Sequence, residues 1–110
     1  MAQPVDQYWV QHDTRPALVK TLLDASGAVV NVTGATVVFN MTQGSTVKVS
    51  RGAAMVTDGP NGVVSYTPTS TDTATAGEFQ GEFEVTYAAG GVQTFPSPHK
   101  MRIVITPEIA

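Results

Sequence analysis

The stretch Glu78-Phe-Gln-Gly-Glu-Phe-Glu-Val-Thr-Tyr87 decides the fold. In an extended chain Phe79, Phe83, Val85 and Tyr87 fall on one side, and Gln80, Glu82, Glu84 and Thr86 on the other. Successive side chains leave opposite faces of a pleated strand, so a period of two marks one dry face and one wet face. Gly81 stands between the two phenylalanines on the dry side, where a missing side chain lets another backbone or ring come close. Thr36-Val-Val-Phe-Asn-Met41 repeats the alternation upstream.

Working outward, further extended segments are predicted at residues 8–11, 17–23, 28–32, 46–50, 53–57, 63–67, 92–95 and 100–106. Gly, Asn, Asp and Pro separate them. Arg15-Pro16 ends the first, because proline lacks the ladder N–H and restricts the residue before it. Asp24-Ala-Ser-Gly27 reads as a turn, and Asp58-Gly-Pro-Asn-Gly62 is the strongest reversal in the chain. The segment 68–77 reads as a loop holding one helical turn capped by Thr71 or Asp72. Eight or so short strands with a turn every 8–12 residues predict an all-β antiparallel sandwich or barrel. No segment carries a useful 3.6-residue apolar repeat. The expected core is Trp9, Leu18, Leu22, Val37, Phe39, Met41, Val64, Tyr66, Phe79, Phe83, Val85, Ile103 and Ile105, with Tyr8 half-exposed beside Trp9.

The 110 residues read as a single domain, 1–110, large enough for a core without staples. Charged residues make up only 14% of the chain, against about 25% in a typical soluble domain. Neutral polar residues take the wet positions. They cost less to desolvate than charges do, which suits subunit contacts; threonine is also simply a good strand former. The six Lys and Arg residues are scattered and the net charge is −3, so no nucleic-acid partner is expected. No apolar run approaches the roughly 20 residues that span a bilayer, and no membrane partner is expected. The polar start does not read as a secretory signal.

Little in the chain points to catalysis. No cysteine is present, so there is neither a disulfide frame nor a thiolate metal site. His12 and His99 lie near opposite chain ends, too few for a zinc site on their own. No serine sits in a Gly-x-Ser-x-Gly elbow. Glu78, Glu82 and Glu84 could mimic a glycosidase carboxylate pair, but they belong to the wet face of a strand, where solvated carboxylates are ordinary. Asn31-Val-Thr33 and Asn40-Met-Thr42 match the glycosylation pattern, which means little without a secretory signal. Asp58 and Asn61 are accounted for by their turn rather than by calcium. No catalytic residue, cofactor or metal is expected.

Two segments carry a family resemblance: Thr33-Gly-Ala-Thr-Val37, within Asp13 to Met41, and Ala76-Gly-Glu-Phe-Gln-Gly-Glu-Phe83, within Asp72 to Tyr87 and followed by Gly91-Val-Gln-Thr-Phe-Pro96. Together they make nearly the whole chain resemble the N-terminal domain of phage baseplate upper proteins. The resemblance implies an immunoglobulin-like antiparallel β-sandwich of about seven to nine strands, in a tailed-phage virion and without enzyme activity. Baseplate upper proteins carry further segments after this domain, whereas this sequence stops at Ala110. The expectation is therefore a structural protein that docks on the virion, with capsid decoration slightly ahead of tail or baseplate. Its partners would be a major capsid or tail protein and other copies of itself. The expected contacts are Ala2, Gln3, Pro4, Val5 and Tyr8 near the start, Thr71 and Thr73 in the loop, and Pro107 and Ile109 at the end. The rival reading is a carbohydrate-binding sandwich that aids host adsorption. It requires exposed rings among Tyr8, Trp9, Tyr66, Tyr87 and Phe95.

Overall fold

A computed structural model describes residues 4–96 and 100–109. Among them, nine strands form two sheets, and no α-helix occurs. They are β1 (Gln7–Val10), β2 (Leu18–Thr21), β3 (Thr36–Gln43), β4 (Thr46–Ala53), β5 (Met55–Asp58), β6 (Val63–Tyr66), β7 (Gly77–Thr86), β8 (Val92–Phe95) and β9 (Met101–Thr106). The larger sheet has the order β1-β9-β7-β3-β4, with β8 also on β7; the smaller has the order β2-β6-β5. The sandwich expected from the alternation is therefore present. It is antiparallel except at one edge, where β1 runs parallel to β9 with Tyr8 opposite Val104.

β7 is the axle of the larger sheet. One of its edges pairs with β3 along most of its length. The other is shared, with β9 on Gly77 to Gly81 and β8 on Phe83 to Thr86. Its burial alternates as the sequence requires, with Phe79, Gly81, Phe83 and Val85 inward. A Cβ on Gly81 would lie 2.7 Å from Ile103 Cδ1 and 3.1 Å from the Phe39 ring, so the absent side chain admits those neighbours. All the residues assigned to the core from sequence are buried, and Val32, Val49, Phe95 and Met101 join them. Each large apolar side chain removed from water stabilises the fold by about 1.5–3 kcal/mol.

The sheets meet through aromatic rings. Tyr66 of the small sheet stacks on Phe39 of the large one at 4.5 Å between centroids, and Phe83 tilts against the same Phe39 at 5.3 Å. The chain itself crosses between sheets at the end of β4. The β3–β4 register shifts on either side of Met41, and Arg51 adopts a left-handed φ of 54°. A β-bulge of this kind bends its strand. The Asn40 Oδ1 accepts the Arg51 N–H at 2.7 Å and holds the bend. Beyond it, the Ala54 N–H donates to the Val37 carbonyl, and β5 starts in the other sheet.

Two local expectations are corrected. The segment 28–32 forms no strand, only a bridge between Leu23 and Val29. The turn in the loop after β6 is capped by Thr69, not by Thr71 or Asp72. The Thr69 Oγ1 accepts the Asp72 N–H at 3.1 Å, while Asp72 Oδ2 accepts the Thr69 N–H at 2.9 Å. This reciprocal pairing is a capping box, and it needs the carboxylate three residues after the hydroxyl. Asp72 is therefore the far member of the box. It also accepts the Tyr66 hydroxyl at 2.5 Å, tying the loop to the small sheet.

Candidate docking surface

The contact residues expected from sequence do not form one patch. Ala2 and Gln3 lie outside the described residues. Pro4 is exposed and Val5 half-buried ahead of β1, while Tyr8 is 60% exposed on the outer side of that strand. Because β1 runs parallel to β9, Pro107 and Ile109 leave from the opposite end of the same strand pair. Both are exposed, and Glu108 between them meets His12 Nδ1 at 2.8 Å. The loop of Thr71 and Thr73 lies at this second end: the His12 N–H donates to the Thr73 carbonyl, and Gln11 Nε2 donates to the Ala74 carbonyl. Thr71 is exposed. Thr73 is not a surface residue, since it is fully buried and its hydroxyl donates to the Asp13 carbonyl at 2.8 Å. It braces the loop against the chain after β1.

The rings needed for a carbohydrate platform mostly turn inward. Trp9, Tyr66 and Phe95 are buried, and the Trp9 indole N–H donates to the Pro16 carbonyl. Tyr87 packs partly on the core, which leaves Tyr8 as the exposed ring of that set. His12 is exposed, and His99 lies outside the described residues.

The outer faces of the two sheets differ in chemistry. On the larger sheet, each outward carboxylate of β7 has a cationic partner from another strand or its flank. Arg102 makes a two-pronged contact with Glu78 at 2.9 and 3.1 Å, Lys100 meets Glu82 at 2.7 Å, and Arg51 meets Glu84 at 2.7 Å. The hydrogen bond from Arg102 holds the Glu78 carboxyl below its ordinary range, and Glu78 raises Arg102 in return. These carboxylates are spoken for by neighbours, which accounts for them without glycosidase chemistry. Among the described residues, no group of three or more His, Cys, Asp or Glu side chains is placed to hold a metal.

The smaller sheet shows the reverse. Val19, Ser65 and Met55 are register partners across β2, β6 and β5 and point outward. In the next row Thr21 pairs with Val63, and a register shift after Val56 sets Asp58 opposite Val63, so that row carries a carboxylate. Val19 and Met55 are 60% and 65% exposed, whereas Ser65 between them is 8% exposed. Leu23 and Val29, bridge partners beyond β2, extend the apolar surface. Sequence reasoning missed this face because the strands are short and their outward residues are divided among three distant segments.

A family model described as the BppU N-terminal domain matches residues 8–99. Among solved structures, the chain is similar to the N-terminal domain of phage TP901-1 ORF48. The TM-score is 0.69 at 16% sequence identity, covering 94% of this chain and 90% of that one. A likeness at that identity carries the fold alone. No curated protein matches the chain.

Proposed function

The chain belongs to the BppU N-terminal domain family of phage baseplate proteins and is thus a virion protein, and from that premise we propose that it is a non-catalytic building block of the baseplate. It acts by fitting its surfaces to other virion proteins. The observation that carries this reading is the family match over residues 8–99. It favours the tail over the capsid shell, which the sequence had placed slightly ahead. The mechanism is removal of apolar and neutral polar surface from water, with ion pairs kept solvated at the margins. Pro4, Val5 and Tyr8 at one end, and Thr71, Pro107 and Ile109 at the other, remain the proposed contacts with different neighbours. Gold-labelled antibody against the chain, applied to intact virions, tests the location. Label at the tail tip is expected. Label spread over the capsid shell would overturn the baseplate assignment.

A further inference from the structure

The short turn Gly59–Asn61 between β5 and β6 ends on a chemically fragile step. We infer that Asn61 is a site of spontaneous deamidation, and that the Asp58 carboxylate restrains it in the folded chain. The site is separate from the docking role proposed above. The reaction begins when the Gly62 backbone nitrogen gives up its proton to solvent and attacks Asn61 Cγ. The Cγ–Nδ2 bond breaks, and the amide nitrogen takes a proton from water and leaves as ammonia. A cyclic succinimide then joins side chain to main chain. Water opens either of its carbonyls. One product is aspartate. The other is isoaspartate, whose main chain runs through the former side chain and is one methylene longer. Only water is consumed, and nothing is oxidised or reduced.

The chain has three asparagines, Asn31, Asn40 and Asn61. Val32 follows the first, and its branched side chain crowds the attacking nitrogen. Asn40 lies within β3, where its Oδ1 accepts the Arg51 N–H and its Nδ2 donates to Glu82. Asn61 is exposed, and Gly62 after it has no side chain to obstruct the attack. The fold cannot dispense with that glycine. Gly62 has a left-handed φ of 70°, and a Cβ there would lie 2.5 Å from the Val30 carbonyl oxygen.

Two hydrogen bonds hold the reacting atoms back in the native state. The Gly62 N–H donates to the Gly59 carbonyl at 3.1 Å, which withholds the nitrogen. Asn61 Nδ2 donates to Asp58 Oδ2 at 2.9 Å, which draws the side chain toward the start of the turn. Gly62 is also buried, and its carbonyl accepts the Leu22 N–H at 2.8 Å. Ring closure therefore waits on a local opening of this turn. Afterwards, an aspartate at position 61 would face Asp58 with like charge in place of a hydrogen bond.

The full chain, incubated warm at mildly alkaline pH and sampled over weeks, is digested and read peptide by peptide by mass spectrometry. Conversion at Asn61 is expected to outpace that at Asn31 and Asn40. Wild type held unfolded in urea should convert Asn61 about tenfold faster than folded wild type, because both restraining bonds are then lost. Asp58→Ala should speed conversion in the folded chain by about threefold or more, and should match wild type in urea. Asp58→Ser, which keeps a turn-forming residue but is too short to reach Asn61, should behave alike; circular dichroism identifies the variants that fold. Conversion at Asn61 no faster than at the other two asparagines overturns the site. Equal rates in folded and unfolded wild type overturn the restraint. So do folded variants that convert no faster than wild type, and slower ones would show the carboxylate promoting the attack instead.

Discussion

The two outer faces of this sandwich distribute their charges differently. The larger sheet carries Glu78, Glu82 and Glu84 and cancels them with Arg102, Lys100 and Arg51. The smaller sheet presents Val19, Ser65 and Met55 in one row, with the carboxylate of Asp58 opposite Val63 in the next. Covering the first means stripping water from ions; covering the second releases water from apolar surface.

The largest expected effect tests what the two faces share. Phe39 meets Tyr66 across the gap between the sheets and Phe83 on its own sheet, so its ring packs at the centre of the core. Phe39→Ala should destabilise the domain by about 3–5 kcal/mol, read by urea unfolding. A loss near zero would mean that the sheets do not depend on that contact.

Next comes the tie on the small-sheet side. Tyr66→Phe removes the hydroxyl that donates to Asp72 and should cost about 1.5–3 kcal/mol. Burial, and then the Asp72 contact, raise the Tyr66 hydroxyl above its ordinary 10.0. A raised group contributes its stability below the unfolded value and loses it as pH climbs above that value. Wild type should therefore weaken above pH 10.0 relative to the Phe variant. Parallel curves for the two proteins would discount the pairing.

The faces themselves should respond weakly and differently. Glu84→Gln breaks a surface pair with Arg51 and should cost about 0–1 kcal/mol, fading as salt is added. Met55→Ser on the other face should shift unfolding of the monomer by less than about 0.5 kcal/mol at any salt. If Met55→Ser proves the more salt-sensitive, the contrast between the faces fails.

The smallest effect is in acid. Glu78 and Asp24 both lie below their ordinary values of 4.5 and 3.8. Arg102 depresses the first; the Ser26 hydroxyl, followed by the Ala28 and Ser26 N–H groups, depresses the second. Depressed carboxylates contribute stability above those values and lose it as pH falls through the lower folded ones. Melting followed from neutral pH down to about 3 should show a slight decline below about pH 4.5 that Glu78→Gln makes shallower. An unchanged slope in that variant would count against a native-state role for the Glu78–Arg102 pair.

The alternation in β7 and β3 was legible because a strand with one buried face must repeat every two residues. From it followed the class of fold, the inward aromatic residues and the purpose of Gly81, all found as the letters imply. Phe95 was harder. Its four-residue strand has too few alternations to fix a face, and only its pairing with Phe83 turns it inward. Thr73 read as an exposed loop residue, and only the approach of Asp13, sixty residues away, buries it.

The sequence by itself determined an all-β chain with a dry core and few charges, since these depend on local period and composition. The parallel seating of β1 on β9, which sets Pro4 and Ile109 at opposite ends of that strand pair, was decided by tertiary structure. So was the row of Val19, Ser65 and Met55, drawn from β2, β6 and β5. Register between segments far apart in the chain is set by packing, and no local pattern encodes it.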